Sequence, residues 1–264
     1  MIVVRDLSFA YPGGHPVLQG IDLELAPGEL VVLTGPNGCG KTTLARHLNG
    51  LLLPQQGTVQ VDDLPTSQAE VRRLVGMVFQ EPESQIVAPV VEEDVAFGLE
   101  NLGLPREEMR RRVEWALERL DLTAVRRSEP HLLSGGQKQR LALASVLAMK
   151  PRYLVLDEPT TMLDPWSRRE VLELLGDLRK TEGIAIILVT HRLEEALEAD
   201  RVVVLANGRV RFQGSPAALF GQLELLTELG LELPDLVRLV VSLREQGFDP
   251  PMGEGQLTDW VLGQ

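Results

Sequence analysis

Residues 35–43 read "GPNGCGKTT", and this stretch decides the fold. Gly35, Pro36, Asn37, Gly38, Cys39, Gly40, Lys41 and Thr42 fit the pattern G-x-x-x-x-G-K-[ST] of a phosphate-binding loop, and Thr43 continues it. Glycines let backbone N–H groups converge on phosphate oxygens without side chains in the way. Lys41 is placed to reach the β- and γ-phosphates of a nucleotide, and the Thr42 hydroxyl to take a position on Mg²⁺. Upstream, "LVVLTG" reads as a buried strand; downstream, "TLARHLNGLL" reads as a helix whose positive end adds to the cradle. Strand, glycine loop and helix stand in the order such a cradle requires.

Working outward, "YLVLDEP" (153–159) is an apolar strand that delivers two acids at its end. Asp157 is expected to hold Mg²⁺ through water, and Glu158, facing the other way, to orient or deprotonate an attacking water. Gln80 closes the apolar run "LVGMVFQ" and can touch both metal and water. His191 closes "ILVTH" and can hydrogen-bond a γ-phosphate. Each alone is an ordinary polar residue at a strand end. A second anion site is expected in "LLSGGQKQRLALASVLA" (132–148), where Ser134, Gly135, Gly136 and Gln137 open a long helix. A serine suffices to cap a helix, so the glycine pair and the "QKQR" run point beyond capping.

The remaining pattern frames these motifs. Two alternating strands flank a Pro/Gly turn at residues 12–16, and "GTVQVDD" returns to strand character. Met109, Val113, Leu117 and Leu120 form a stripe at helical spacing inside a segment, about 83–150, that reads as an all-helical insert. Strand–helix alternation then resumes, closing on a hairpin turned by Asn207-Gly208. The expected fold is α/β, with a mostly parallel core sheet. "LPDLVRLVVSLREQGF" predicts a C-terminal helix with an apolar face needing cover, and "QLTDWVLGQ" one further helical turn. A net charge of −12 argues against nucleic acid as the main partner. One cysteine excludes an internal disulfide framework and favours a reducing compartment. The first residues lack the pattern of a secretory signal, and no apolar run approaches the ~20 residues of a membrane helix. Membrane association is therefore expected only through a partner.

Taken together and in order, these motifs resemble the ATP-binding cassette (ABC) ATPases over about residues 1–215. "LSGGQ" matches their signature, "VFQ" their Q-loop and "TMLD" (161–164) their D-loop, where many members have "SALD". The resemblance implies a RecA-like P-loop NTPase core with an antiparallel β subdomain, a helical signature subdomain, and here a C-terminal helical extension over 216–264. It implies that ATP and Mg²⁺ are bound, that Tyr11 stacks on adenine, and that His191 is the switch histidine. It also implies a head-to-tail dimer in which Ser134, Gly135, Gly136, Gln137 and Asp164 of one chain complete the other chain's site.

"VGMVFQEPESQIVAPVVEEDVAFGLENLGLP" (75–105) and "SLREQGF" further resemble the ATPases of energy-coupling factor transporters, which import vitamins and metal ions. That likeness implies a second ATPase (identical or paralogous), a transmembrane scaffold subunit, a substrate-binding membrane subunit, and a peripheral position on the cytoplasmic face of the membrane. An ATPase of another ABC transporter class, or a soluble non-transport ABC ATPase, remains the alternative. Glu81, Glu83, Glu92, Glu93 and Asp94 form an acidic cluster that suits a basic scaffold helix. Cys39, near a helix N-terminus and Lys41, is expected to have a stabilised thiolate.

Overall fold

The computed structural model describes residues 1–246 and 248. The chain opens with β1 (Ile2–Ala10), β2 (Pro16–Leu25) and β3 (Leu30–Thr34), then α1 (Lys41–Leu48), β4 (Gln56–Val61) and β5 (Leu64–Pro65). A short α2 (Val71–Leu74) leads into β6 (Val75–Val78). Three helices follow without a strand: α3 (Val91–Asn101), α4 (Arg106–Arg119) and α5 (Gly135–Leu147). Next come β7 (Tyr153–Asp157), α6 (Pro165–Glu182), β8 (Ala185–Val189), β9 (Arg201–Ala206) and β10 (Arg209–Gly214). The described part closes with α7 (Pro216–Phe220), α8 (Leu223–Glu228) and α9 (Asp235–Glu245).

Two sheets result. An antiparallel sheet runs β2-β1-β4-β5, and a six-stranded sheet runs β10-β9-β3-β8-β7-β6. The second is parallel except for the β9–β10 hairpin. Asn207 and Gly208 turn that hairpin with φ of 51° and 70°, the left-handed pair its tight turn requires. β7 and β8 are buried at every residue, as expected of strands covered on both faces.

Strand alternation divides the interior into two cores. Val31, Leu33, Tyr153, Val155, Ile187 and Leu205 face the antiparallel sheet and α1. Val32, Leu154, Leu156, Ile186, Leu188 and Val204 face the helices on the other side. In α4 the stripe holds: Val113 and Leu117 are buried, Leu120 is buried at its C-terminal cap, and Met109 packs against the same core. The apolar face of α9 is covered partly by its own chain. Val237 and Val240 are fully buried, whereas Leu239 is half exposed. The "QLTDWVLGQ" segment lies outside the described residues.

α5, the helix that carries the second glycine motif, sits close on the six-stranded sheet because Gly76 in β6 has no side chain. A Cβ there would lie 2.3 Å from Val146 Cγ1 and 3.2 Å from Pro151 Cγ. Gly76→Val is expected to overpack this contact and lower stability by about 1–3 kcal/mol, read as a reduced midpoint in urea unfolding.

Candidate nucleotide site

β3 ends at Thr34, and the chain turns at once through Gly35 at φ 143°, where a Cβ would sit 1.9 Å from Leu205 O. Gly38 and Gly40 also take positive φ, and Gly40 caps α1 with no side chain across its open N–H groups. Lys41 is buried, and its Nζ donates to Gly35 O at 2.8 Å and Pro36 O at 3.0 Å. The Tyr11 ring stands edge-on to Phe9, and its hydroxyl lies 3.3 Å from Thr43 Oγ1. A cleft of about 630 Å³ joins Tyr11, residues 40–43 of the loop, Gln80, Glu158 and His191.

The acids at the end of β7 differ in environment. Asp157 is buried; burial pushes its carboxyl above the usual range, while the hydrogen bond from Thr42 acts the other way. Thr42 Oγ1 donates to Asp157 Oδ1 at 3.1 Å. A hydroxyl and one buried carboxylate are a donor set suited to Mg²⁺, which takes few protein ligands and completes its shell with phosphates and water. The described residues hold no cluster of three or more His, Cys, Asp or Glu able to bind a metal alone.

Glu158 adopts φ 50°, a conformation disfavoured for a residue with a side chain and held here by its N–H bond to Val189 O at 2.9 Å. Its Oε2 accepts from Thr161 Oγ1 at 3.0 Å and Gln80 Nε2 at 3.3 Å, with His191 Nδ1 3.4 Å away. Gln80 and His191 both lie just past their strands rather than at the ends. β6 stops at Val78 because Gln85 takes over: its Oε1 accepts from Phe79 N and its Nε2 donates to Met77 O. β8 stops at Val189. Thr161 was not singled out from sequence, where its position in "TMLD" was the only signal.

Ser134 caps α5, accepting from Gln137 N at 3.3 Å, while Gln137 Oε1 accepts from Ser134 N at 2.9 Å. The Gln137 side chain thereby completes a capping box, for which the spacing S-x-x-Q was the signal. Gly135 and Gly136 are left with bare backbone. A Cβ on Gly135 would meet nothing within 4 Å, and one on Gly136 would lie 3.3 Å from Ser167 Oγ. None of these four residues lines the cleft of its own chain. Asp164 caps α6, accepting from Trp166 N, Ser167 N and, at 2.6 Å, Ser167 Oγ. The Ser167 hydroxyl bond holds the Asp164 carboxyl below the usual range.

Comparison with known proteins gives this geometry a family. The sequence profile described as "ABC transporter" matches residues 18–161. The chain belongs to the ABC transporter ATPases. Among curated relatives, it is 48% identical to the energy-coupling factor transporter ATP-binding protein EcfA1 of Caldanaerobacter subterraneus subsp. tengcongensis, over 95% of this chain and 94% of that one. It is 50% identical to the EcfA1 of Symbiobacterium thermophilum, over 95% and 91%. Among solved structures, cbiO1 from Clostridium perfringens, described as part of the ABC transporter complex cbiONQ, superposes with a TM-score of 0.78 at 38% identity, covering 90% of this chain and 97% of that one. An ATP-binding cassette solved as a dimer with ADP and Pi superposes at 0.73 with 29% identity, covering 82% and 99%. Within the ABC ATPases, the chain is therefore an energy-coupling factor ATP-binding protein, and its activity is ATP hydrolysis coupled to transport.

Two expectations for this ABC ATPase are corrected by its structure. Asp94 is buried, not presented to a partner. Its Oδ1 accepts from Val87 N at 2.7 Å and Ala88 N at 3.0 Å, and its Oδ2 from Ser145 Oγ at 2.9 Å. Within the remaining cluster, Glu83 pairs with Lys138 at 2.5 Å and Glu92 with Arg126 at 2.8 Å. Glu81 and Glu93 are exposed and make no side-chain bond among the described residues. Cys39 packs into the core beside Gly35; burial pushes its thiol up, outweighing the pull of Lys41. Desolvation therefore works against the stabilised thiolate expected from Lys41 and the helix N-terminus.

Asp94→Ala leaves two backbone donors without their acceptor and is expected to lower stability by about 1–3 kcal/mol, measured by urea denaturation. Cys39 is expected to react with iodoacetamide at pH 8 more slowly than an exposed thiol, followed by intact-mass spectrometry; reaction at the free-thiol rate contradicts its burial.

Proposed function

We propose that the chain is the ATP-hydrolysing subunit that energises uptake of a vitamin or transition-metal ion by an energy-coupling factor transporter. The observation that carries this reading is the convergence of Gln80, Thr161 and His191 on Glu158, beside the Thr42–Asp157 pair in a cleft lined by the phosphate loop. The relatives named for energy-coupling factor transporters support the transporter class.

In this reading Tyr11 holds the adenine, and the N–H groups of residues 35–43 surround the phosphates. Lys41 turns its ammonium from Gly35 O and Pro36 O to the β- and γ-phosphates. Thr42 and Asp157 would hold Mg²⁺ with Gln80 nearby; when bound, the ion supplies charge neutralisation at the phosphate oxygens. Glu158 orients water for in-line attack, and His191 hydrogen-bonds the γ-phosphate. Gly135 and Gly136 of a second ATPase, identical or paralogous, close over the γ-phosphate with Ser134, Gln137 and Asp164, so the site is complete only between two chains. Burial of the cleft by the second chain excludes bulk water and strengthens each of these interactions.

The described domain would then comprise an ABC core over 1–215, with the helical insert at about 83–150, and a C-terminal extension whose half-exposed Leu239 supports a dimer contact. No helix among the described residues is long and apolar enough to cross a membrane. In this reading the chain sits peripherally at the cytoplasmic face, held by a transmembrane scaffold that also carries the substrate-binding subunit. Glu81 and Glu93, with Glu83 and Glu92 as paired neighbours, would receive basic residues of that scaffold.

Glu158→Gln is expected to cut ATP turnover about a hundredfold or more while trapping an ATP-bound dimer that elutes early in gel filtration. Rapid turnover by this variant rejects the role of Glu158. Membrane proteins copurifying with the tagged wild-type chain would identify the transporter, and a soluble partner set alone rejects the transport reading.

A further inference from the structure

Glu195 is a buried acid that the reaction above does not use. It sits in the 3-10 turn Leu193–Ala196, just beyond His191, and exposes 6% of its surface. Its Oε1 accepts from Thr160 Oγ1 at 2.5 Å, and Thr160 is itself 1% exposed. Thr160 lies two residues after Glu158 and one before Thr161. The second hydroxyl beside the carboxylate belongs to Thr190, the residue before His191; that hydroxyl also accepts from Arg192 N at 3.0 Å. Burial pushes the Glu195 carboxyl up, and the hydrogen bonds from Thr160 and Thr190 act against that rise. The positive charges of Arg168 and Arg192 also act against that rise, and Arg168 donates to Leu163 O in the D-loop.

One side chain thus joins two loops that carry different parts of the site. The loop after β7 brings Glu158, Thr161 and Asp164; the loop after β8 brings His191. The backbone supplies one link between them, Glu158 N to Val189 O, at their first residues. Beyond that point His191 Nδ1 lies 3.4 Å from Glu158 Oε2, and the Glu195–Thr160 bond is a further, buried tie, 35 residues apart in sequence. A carboxylate in so dry a place is costly to bury. An apolar side chain would cap the turn at lower cost but would leave the Thr160 hydroxyl without its acceptor.

We infer that Glu195 is a positioning residue for ATP hydrolysis, holding the Glu158 loop and the His191 loop in register through Thr160. The inference rests on the roles proposed above for Glu158 and His191. Glu195 does not line the nucleotide cleft and touches no group assigned to the reacting atoms. Its removal should loosen both loops together and let Glu158 and His191 drift from the attacking line, where small displacements are expensive in rate.

The test compares Glu195→Ala, Glu195→Gln and Thr160→Val in the full chain, measuring kcat, KM for ATP and amide hydrogen exchange. Glu195→Ala and Thr160→Val are each expected to lower kcat about tenfold, leave KM within about twofold, and lose protection in residues 158–164 and 189–192 only. Glu195→Gln keeps an oxygen for Thr160 and should retain most of kcat. The Glu195→Ala/Thr160→Val double variant should be no slower than either single one, because both break the same bond. Unchanged kcat, a loss of protection spread over the whole fold, additive effects, or a glutamine variant as slow as the alanine one each overturns the inference. Hydrogen exchange reads the tie between the loops without reference to Glu158, so rapid turnover by Glu158→Gln would reject the catalytic assignment and leave this measurement to be judged separately.

Discussion

Parallel pairing of β3, β8 and β7 sets Leu33, Val189 and Asp157 level with one another. Each strand then ends on the same edge of the sheet, and each hands over to a loop carrying part of the chemistry: residues 35–43, His191, and Glu158 with Thr161. Ligands in open parallel sheets gather beyond the carboxyl ends of the strands for this reason. The fully buried β7 and β8 cannot slip, since a one-residue shift would carry an entire face of apolar side chains into the wrong core. The register of the cleft is therefore inherited from the packing of valines, leucines and isoleucines.

The helical insert is fastened to this edge by polar ties. Asp94 at the start of α3 fixes the backbone of Val87 and Ala88 and reaches across to Ser145 on α5. Glu83, in the turn after Gln80, reaches Lys138 on the same helix. The segment that follows Gln80 is thus bonded on both sides to the helix opened by Ser134. The apolar floor beneath comes from Val91, Val95, Leu99, Leu141 and Leu147, all in the core on the helical face of the sheet. Oil sets where the insert lies, and these carboxylates set how it is turned.

Much of this was legible because the chemistry needs particular residues at short spacing. A phosphate cradle is a local object, as is a pair of acids after an apolar strand or a glycine pair opening a helix. What was not legible is convergence over long separations: Gln80 with Glu158, 78 positions apart, and Glu195 with Thr160. Asp94 was misread for a subtler reason. Three consecutive acids look like a solvated helix start, yet 94 falls in phase with 91, 95 and 99, the buried positions of α3. That phase was present in the sequence. Cys39 was misread because proximity to Lys41 was weighed without the burial that opposes it.

Gly136 leaves room for Ser167, the residue whose hydroxyl and N–H both bond Asp164. Arg140 on α5 is also paired with Glu170 on α6. The bare turn that starts one helix and the acidic cap that starts the other are in effect cast as a single jaw. A neighbour pressing on either lip must swing both. Through these two contacts a displacement of one helix start is passed directly to the other.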